Sequence, residues 1–219
     1  MKKMGFTLSE IIVALSIVAV VAVISAPLIT SLIPDKNKVT VLKVNKILTD
    51  VTQELLQDPG YYNESGVLPE PFNGWDCEGL GCISRPLLPE FQENQFSGLH
   101  KYSYLLASKL NTVNDPVLEE GIVTFDTIDG LRWSIDSGFA FPRVGVLGVQ
   151  YNVTVDVNGD EDPNQTYEDS TRPDCFSFRV DNRGNITGAD PLTRAYLENP
   201  HKLNDIQADL ARAAEIAEE

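Results

Sequence analysis

The chain has 219 residues and a net charge of −15, with 32 acidic side chains against 17 basic ones. A surface this acidic repels phosphates, so the composition excludes a protein that binds nucleic acid through its phosphate backbone. The length is enough for one soluble domain of about 150 residues with a real core, beside a membrane segment.

The first 33 residues contain a long apolar segment with two unusual features. Residues 6–33 are almost uninterruptedly apolar, and about 20 such residues cross a bilayer as a helix. A carboxylate, Glu10, lies inside this run, and a short basic leader, residues 1–5, precedes it. The leader's lysines predict a cytoplasmic N-terminus, with the soluble part beyond the membrane. An unpaired charge in hydrocarbon costs about 2.5–3.5 kcal/mol on insertion scales, so Glu10 needs a cation.

Cleavage of the chain between Gly5 and Phe6 would create that cation. The new α-amino group of Phe6 has a reference pKa of about 7.7–8.0 and is largely protonated at neutral pH. Phe6 and Glu10 are four residues apart on a helix, so the pair can close within one chain. It can also close between the Glu10 of one subunit and the Phe6 amine of the next, which would make the helix an assembly element.

The sequence GFTLSE, from Gly5 to Glu10, followed by a long apolar helix, resembles the start of a type IV prepilin or of a type II secretion pseudopilin. The resemblance implies cleavage after Gly5 by a membrane aspartic prepilin peptidase, N-methylation of Phe6, and filament assembly that depends on Glu10. The implied partners are homologous pilin subunits and the inner-membrane assembly machinery. Pro27 falls where many type IV pilins have a helix-breaking proline.

Two plainer interpretations of the N-terminal segment are less favoured. A secretory signal peptide has an apolar region of about 7–15 residues and a small-residue cleavage site, whereas this run is longer and lacks a good site near Ser25 and Ala26. A simple single-pass anchor explains the length of the run but neither Glu10 nor Gly5.

Residues 34–58 are predicted to continue the helix as an amphipathic stem. Apolar side chains recur there at three- and four-residue steps and form one stripe. They are Val41, Val44, Leu48, Val51 and Leu55. Pro27 and Pro34 each remove an N–H donor and favour a kink or local unwinding. We predict either a bend without a role or a point where the helix melts as a filament stretches.

Residues 59–219 are predicted to form an extracytoplasmic α+β domain of the pilin type. Residues 60–100 lack a steady period and are predicted to be a long loop region, and a short helix follows at 99–110. Strand patterns occur at residues 121–126, 131–136, 150–156 and 175–181, with a short candidate strand at 185–187. We predict an antiparallel sheet of about four strands, covered on one face by the stem, and a peripheral C-terminal helix near residues 204–218.

The three cysteines, Cys77, Cys82 and Cys175, predict one disulfide and one free thiol in an oxidising compartment. Closure of a small loop between Cys77 and Cys82 is slightly favoured, since glycines between them allow a turn. A bridge from either residue to Cys175 is the alternative. The spacing of Cys77 and Cys82 is not that of an ordinary zinc site.

An acidic segment after the third predicted strand is a candidate calcium loop. Asp156, Asn158, Asp160 and Asp162 place oxygen ligands at alternate positions, and calcium takes six to eight oxygens. The order resembles the first half of an EF-hand loop but departs from it in the second half, where Glu168 or Asp169 would have to close the site. The resemblance to pseudopilins supports calcium, whereas an exposed acidic turn is the simpler interpretation.

Two related functions and one unrelated function follow. The favoured one is a structural subunit, major or minor, of a type IV pilus-like filament. A pseudopilin of a type II secretion system is the alternative, and the long 60–100 region tilts the choice towards a pilin. A membrane-anchored enzyme is the remote alternative, since the sequence has two histidines, no nucleophile elbow and no Gly-rich phosphate loop. The expected location is the inner membrane, followed by a pilus or periplasmic pseudopilus.

Overall fold

The computed structural model describes residues 8–32, 35–62, 79–82, 98–140, 148–159, 161–170, 173–202 and 205–218, without the side chains of 10, 22–32, 138–140, 148–149 and 206. The helices are α1 (Leu8–Leu32), α2 (Lys36–Gln57), α3 (Lys101–Lys109), α4 (Pro191–Glu198) and α5 (Ile206–Glu218), with a 3₁₀ turn at Gly79–Gly81. The strands are β1 (Val117–Glu119), β2 (Ile122–Asp126), β3 (Arg132–Ala140), β4 (Gly148–Asp156), β5 (Cys175–Val180) and β6 (Ile186–Gly188).

The strands form one antiparallel sheet in the order β1-β2-β3-β4-β5-β6. The predicted α+β class is confirmed, but the prediction of about four strands was wrong. β1 was missed because all three of its residues are exposed and show no alternation. β3 and β4 also run longer than predicted, into a glycine-containing stretch where residues 138–140 pair with 148–150.

The amphipathic stem is present as α2, and its predicted stripe faces the sheet. Val41, Val44, Leu48 and Leu55 are buried, and Val51 is half-buried against the core. The helix begins after Asp35, whose Oδ1 accepts the Asn37 N–H at 2.9 Å and so satisfies one of the free donors of the first turn.

The core lies between the inner face of the sheet and a layer made by α2, α3 and α4. Alternate residues of each central strand point inward, as period-two patterning requires. Trp133 and Ile135 come from β3, and Tyr151, Val153 and Val155 come from β4. The Tyr151 ring lies 4.6 Å from that of Tyr102 on α3, and the Tyr102 hydroxyl pairs with Thr52 of α2 at 2.8 Å. This contact joins the three elements.

The predicted single N-terminal helix is not confirmed. The chain has two helices, α1 and α2, and residues 33 and 34 between them lie outside the described residues. Pro34 is one of these two. Pro27 lies inside α1, and the helix continues beyond it to Leu32. Over the residues described, no helix combines the length and the apolarity needed to cross a membrane.

The C-terminal helix was predicted as peripheral, but α5 is docked. Asp209, Ala213 and Ile216 of this helix are buried. The preceding helix α4 was missed, although Asp190 and Pro191 are start signals that sequence reasoning can recognise. Asp190 caps it by accepting the Thr193 N–H at 2.8 Å.

Candidate functional site

Of the predicted cleavage and assembly residues, Glu10 is the one that lies within a described element, α1. Glu10 is the third residue of this helix. Gly5 and Phe6 lie outside the described residues. The pairing of the Phe6 amine with Glu10 therefore stays a prediction.

The described part of α1 carries apolar side chains in every direction around the helix. These large side chains are 46–76% exposed, so the rest of the chain does not cover them. They are Leu8, Ile11, Ile12, Val13, Leu15, Ile17, Val18, Val20 and Val21. The Ser16 hydroxyl donates to the Ile12 carbonyl at 2.8 Å, so this polar group is satisfied inside the helix. A helix that is apolar all round is stable only when lipid or other protein surrounds it.

The start of α2 is fixed by a buried polar cluster that sequence reasoning missed. Lys38 Nζ lies 2.6 Å from Asp209 Oδ2 of α5, with both side chains at most 2% exposed. Lys38 Nζ also donates to the Lys202 carbonyl at 2.9 Å and lies 5.4 Å from the centre of the Tyr196 ring. The Tyr196 hydroxyl donates to Asp35 Oδ2 at 3.0 Å. Burial raises the pKa of Asp209, while the Lys38 ammonium opposes that rise.

Lys101, at the start of α3, forms a second buried cation site. Its Nζ donates to the carbonyls of Tyr61 and Cys82, the latter at 3.1 Å, and lies 4.2 Å from the centre of the Tyr62 ring. Burial lowers the Lys101 pKa to about 8. The lysine thus holds together the chain just after α2 and the chain at the 3₁₀ turn. Sequence reasoning placed Lys101 in the predicted helix at residues 99–110, where no local pattern indicated its burial.

The acidic segment after β4 forms a closed turn in its described part. Asp156 Oδ1 accepts the Asn158 N–H at 3.0 Å. With its nitrogen turned inward, the Asn164 amide donates to Asp156 Oδ2 at 2.6 Å and to the Glu161 carbonyl at 3.1 Å. The Asp174 carboxylate accepts the backbone N–H groups of Asn164 and Gln165 at 3.0 and 2.5 Å. Burial raises the pKa of Asp156.

The fit of calcium to this turn is partial. Asn158 Oδ1 is buried without a hydrogen-bond donor, whereas Asp162 is exposed and Asp160 lies outside the described residues. Asp169, a candidate to close the site, instead accepts the Thr166 hydroxyl at 2.7 Å. The part of the chain that the structure describes has no group of three or more His, Cys, Asp or Glu side chains placed to hold a metal ion.

Cys175 has a free thiol, so it does not form the alternative bridge to Cys77 or Cys82. Its Sγ lies 3.6 Å from Asp156 Oδ2, and burial raises the Cys175 pKa to about 12, which keeps the thiol protonated. Cys82 is buried. Because Cys77 lies outside the described residues, its pairing with Cys82 stays a prediction.

A family model described as the prokaryotic N-terminal methylation motif matches residues 1–26. This segment is the prepilin-type cleavage and methylation signal, as the resemblance of residues 5–10 predicted. None of the curated proteins and none of the solved structures matches the chain.

The motif supports a precursor of the type IV pilin or pseudopilin type, and it points to a structural subunit rather than an enzyme. It implies, in general terms, processing by a prepilin peptidase and assembly with other pilin subunits. It also suggests a protein that is first anchored in a membrane and then associated with a pilus.

Proposed function

We propose that this chain is a pilin, major or minor, that builds a type IV pilus-like filament through its N-terminal helix. The observation that carries the proposal is the methylation motif at residues 1–26, followed by a helix whose apolar side chains are exposed all round. Packing of such helices against one another in a filament core would cover a surface that this chain leaves bare. A pseudopilin of a type II secretion system uses the same assembly principle and is the alternative; a membrane-anchored enzyme remains remote.

In this proposal the chain has four parts with different tasks. Residues 1–5 are the leader that the peptidase removes, and residues 6–33 anchor the subunit in the inner membrane and then assemble. Residues 34–58 are the stem, and residues 59–219 are the extracytoplasmic domain. The N-terminus lies in the cytoplasm before cleavage. The inner-membrane assembly machinery then moves the subunit into a pilus or a periplasmic pseudopilus.

The mature N-terminus and the Glu10 pairing test this proposal together. Mass spectrometry of the mature protein should find methylated Phe6 as its first residue. Glu10→Gln should leave membrane insertion intact but lower filament incorporation by at least about tenfold, because it leaves the Phe6 ammonium without its partner. An unpaired charge in hydrocarbon costs about 2.5–3.5 kcal/mol, and 1.4 kcal/mol is a factor of ten.

The matched control for Glu10→Gln is Glu119→Gln, which removes an exposed carboxylate from β1. This variant should assemble normally. An intact leader in the mature protein would refute the processing step. Normal assembly of Glu10→Gln would instead refute the pairing while leaving processing in place.

We also propose that calcium binds the turn formed by Asp156, Asn158, Asp160 and Asp162. The buried, donor-free Asn158 Oδ1 supports a cation there, although the Asn164 amide can close the turn without one. Calcium at 100 times its Kd should stabilise the fold by about 2.7 kcal/mol and raise the melting temperature. Asp162→Asn should reduce that rise, whereas Asp115→Asn, an exposed control, should not. An unchanged melting temperature after chelation would dismiss the site.

A further inference from the structure

A groove of about 510 Å³ runs along β6, at the opposite edge of the sheet from β1. It is lined by the strand itself (Ile186–Gly188) and by Arg194, Leu197 and Glu198 of α4. Arg179 of β5 also lines it. The groove therefore combines a strand edge, a helix wall and two guanidinium groups.

The edge of β6 offers backbone groups to this groove. In the β5–β6 ladder Arg179 lies opposite Thr187. Ser177 and Ala189, two residues further along, form a hydrogen-bonded pair in which the Ala189 N–H donates to the Ser177 carbonyl at 2.7 Å. Because bonded positions alternate along antiparallel strands, the backbone groups of Thr187 face β5 and those of Ile186 and Gly188 face outward. The Gly188 carbonyl accepts Arg194 Nε at 3.0 Å. Gly188 is buried against Arg194 of α4, so on this edge the N–H and C=O of Ile186 are the backbone groups that remain for a partner.

The groove is positively charged although the chain carries a net charge of −15. The Arg179 guanidinium makes no hydrogen bond or ion pair within the described residues, and its charge is available to a ligand. Arg194 is held in place by the carbonyls of Gly188 and Ala189, at 3.0 and 3.2 Å. Glu198 pairs with Arg212 Nε at 2.8 Å, which offsets its negative charge.

The floor of the groove is partly apolar, since Ile186 and Leu197 are partly buried against the core. A strand edge with free N–H and C=O groups and apolar contacts is suited to an extended peptide that adds as a further strand. Arginines beside it select carboxylates, with which they form charge-assisted hydrogen bonds.

We propose that this groove binds an extended acidic peptide segment of a partner protein, which pairs with β6 and places a carboxylate on Arg179. The site lies in the α+β part of the chain and does not depend on the filament proposal. Charge complementarity favours an acidic segment, because a basic one would meet two arginines at the groove.

The test measures binding of a fluorescein-labelled heptapeptide of alternating valine and glutamate to the full-length chain in detergent, by fluorescence anisotropy. Replacing glutamate with lysine in the peptide should weaken binding by at least about tenfold, since hydrogen bonds to charged groups contribute about 1.5–3 kcal/mol. Arg179→Glu should have an effect of similar size. Lys202→Glu, an exposed control outside the groove, should change the Kd of the peptide by less than about twofold.

Amide hydrogen exchange provides the second readout. The peptide should slow exchange at Ile186 but not at Thr187, whose N–H already faces β5. Ile186→Pro removes one outward N–H without removing a ladder bond and should weaken binding. Binding that is insensitive to Arg179→Glu, protection at other amides, or competition by free glutamate as effective as by the peptide would overturn the proposal. Self-association of the chain that occupies β6 would overturn the commitment to a partner segment.

Discussion

Lys101 shows why the burial of a single residue can be missed from sequence. Lysine is almost never fully buried unless it is paired, and nothing near Lys101 in the predicted helix at residues 99–110 indicates a partner. In the fold its ammonium is buried against the carbonyls of Tyr61 and Cys82 and the Tyr62 ring. Tyr61 and Cys82 lie 40 and 19 residues before Lys101, so no local sequence pattern brings these groups together.

The lowered pKa of Lys101 predicts a pH dependence of stability. Its pKa falls from 10.5 to about 8 on folding because burial disfavours the charged form. Between these values the unfolded state binds more protons than the folded state, so the free energy of unfolding rises with pH. From pH 7.5 to 9.5 the rise from this group should be about 1–2 kcal/mol.

The measurement for Lys101 is urea unfolding of the full-length chain and of Lys101→Met at both pH values. Lys101→Met should lose the rise in the free energy of unfolding that the full-length chain shows. Subtracting the free energies of the two proteins at each pH removes the contribution of the tyrosines, which both share. Lys46→Met, whose side chain is exposed on α2, is the control and should keep the rise. A rise of equal size in Lys101→Met would assign the pH dependence to another group.

At the scale of elements, hydrophobic periodicity predicted α2 well but missed the short elements β1 and α4. The α2 stripe repeats over several turns, and four of its five residues are fully buried. β1 has three exposed residues and α4 has eight residues, so neither is long enough to establish a period. Among the candidate site residues, the motif that contains Glu10 was recognisable from its local sequence, whereas the Lys38–Asp209 pair joins positions 171 residues apart.

The Lys38–Asp209 pair predicts how α5 is held to α2. Asp209→Asn should destabilise the fold by about 3–5 kcal/mol, because it leaves a buried ammonium without its counter-charge. The double variant Lys38→Met and Asp209→Leu should recover most of this loss, since well-packed apolar residues can replace a buried ion pair. Thermal unfolding monitored by circular dichroism measures both changes.

The control for this pair is Arg212→Gln, which breaks the exposed contact of α5 with Glu198. Its effect should stay below about 1 kcal/mol, as for surface ion pairs in general. If Asp209→Asn were as mild as Arg212→Gln, apolar packing of Ala213 and Ile216 would be what docks α5.

For the whole molecule, the net charge and the exposed apolar surface of α1 have opposite effects on the association of copies of the chain. Exposed apolar side chains on α1 favour association, whereas a net charge of −15 opposes close packing of copies. Loss of the leader removes Lys2 and Lys3 and makes the charge more negative. The net charge and the apolar run of residues 6–33, from which this balance arises, can both be recognised in the sequence. The positions of the basic groove and the buried cations depend on the tertiary fold and were not predictable from it.

The balance of charge and apolar surface predicts that salt promotes assembly. The Debye length falls from about 30 Å at 0.01 M to about 8 Å at 0.15 M ionic strength, so repulsion between neighbouring acidic domains is screened at the higher value. Sedimentation of filaments formed from the mature protein should therefore increase with sodium chloride over this range. A variant with Asp115→Asn, Glu119→Gln and Glu120→Gln should assemble at lower salt, because it carries three fewer negative charges. Assembly that weakens as salt is added would instead mean that ion pairs between subunits outweigh their mutual repulsion.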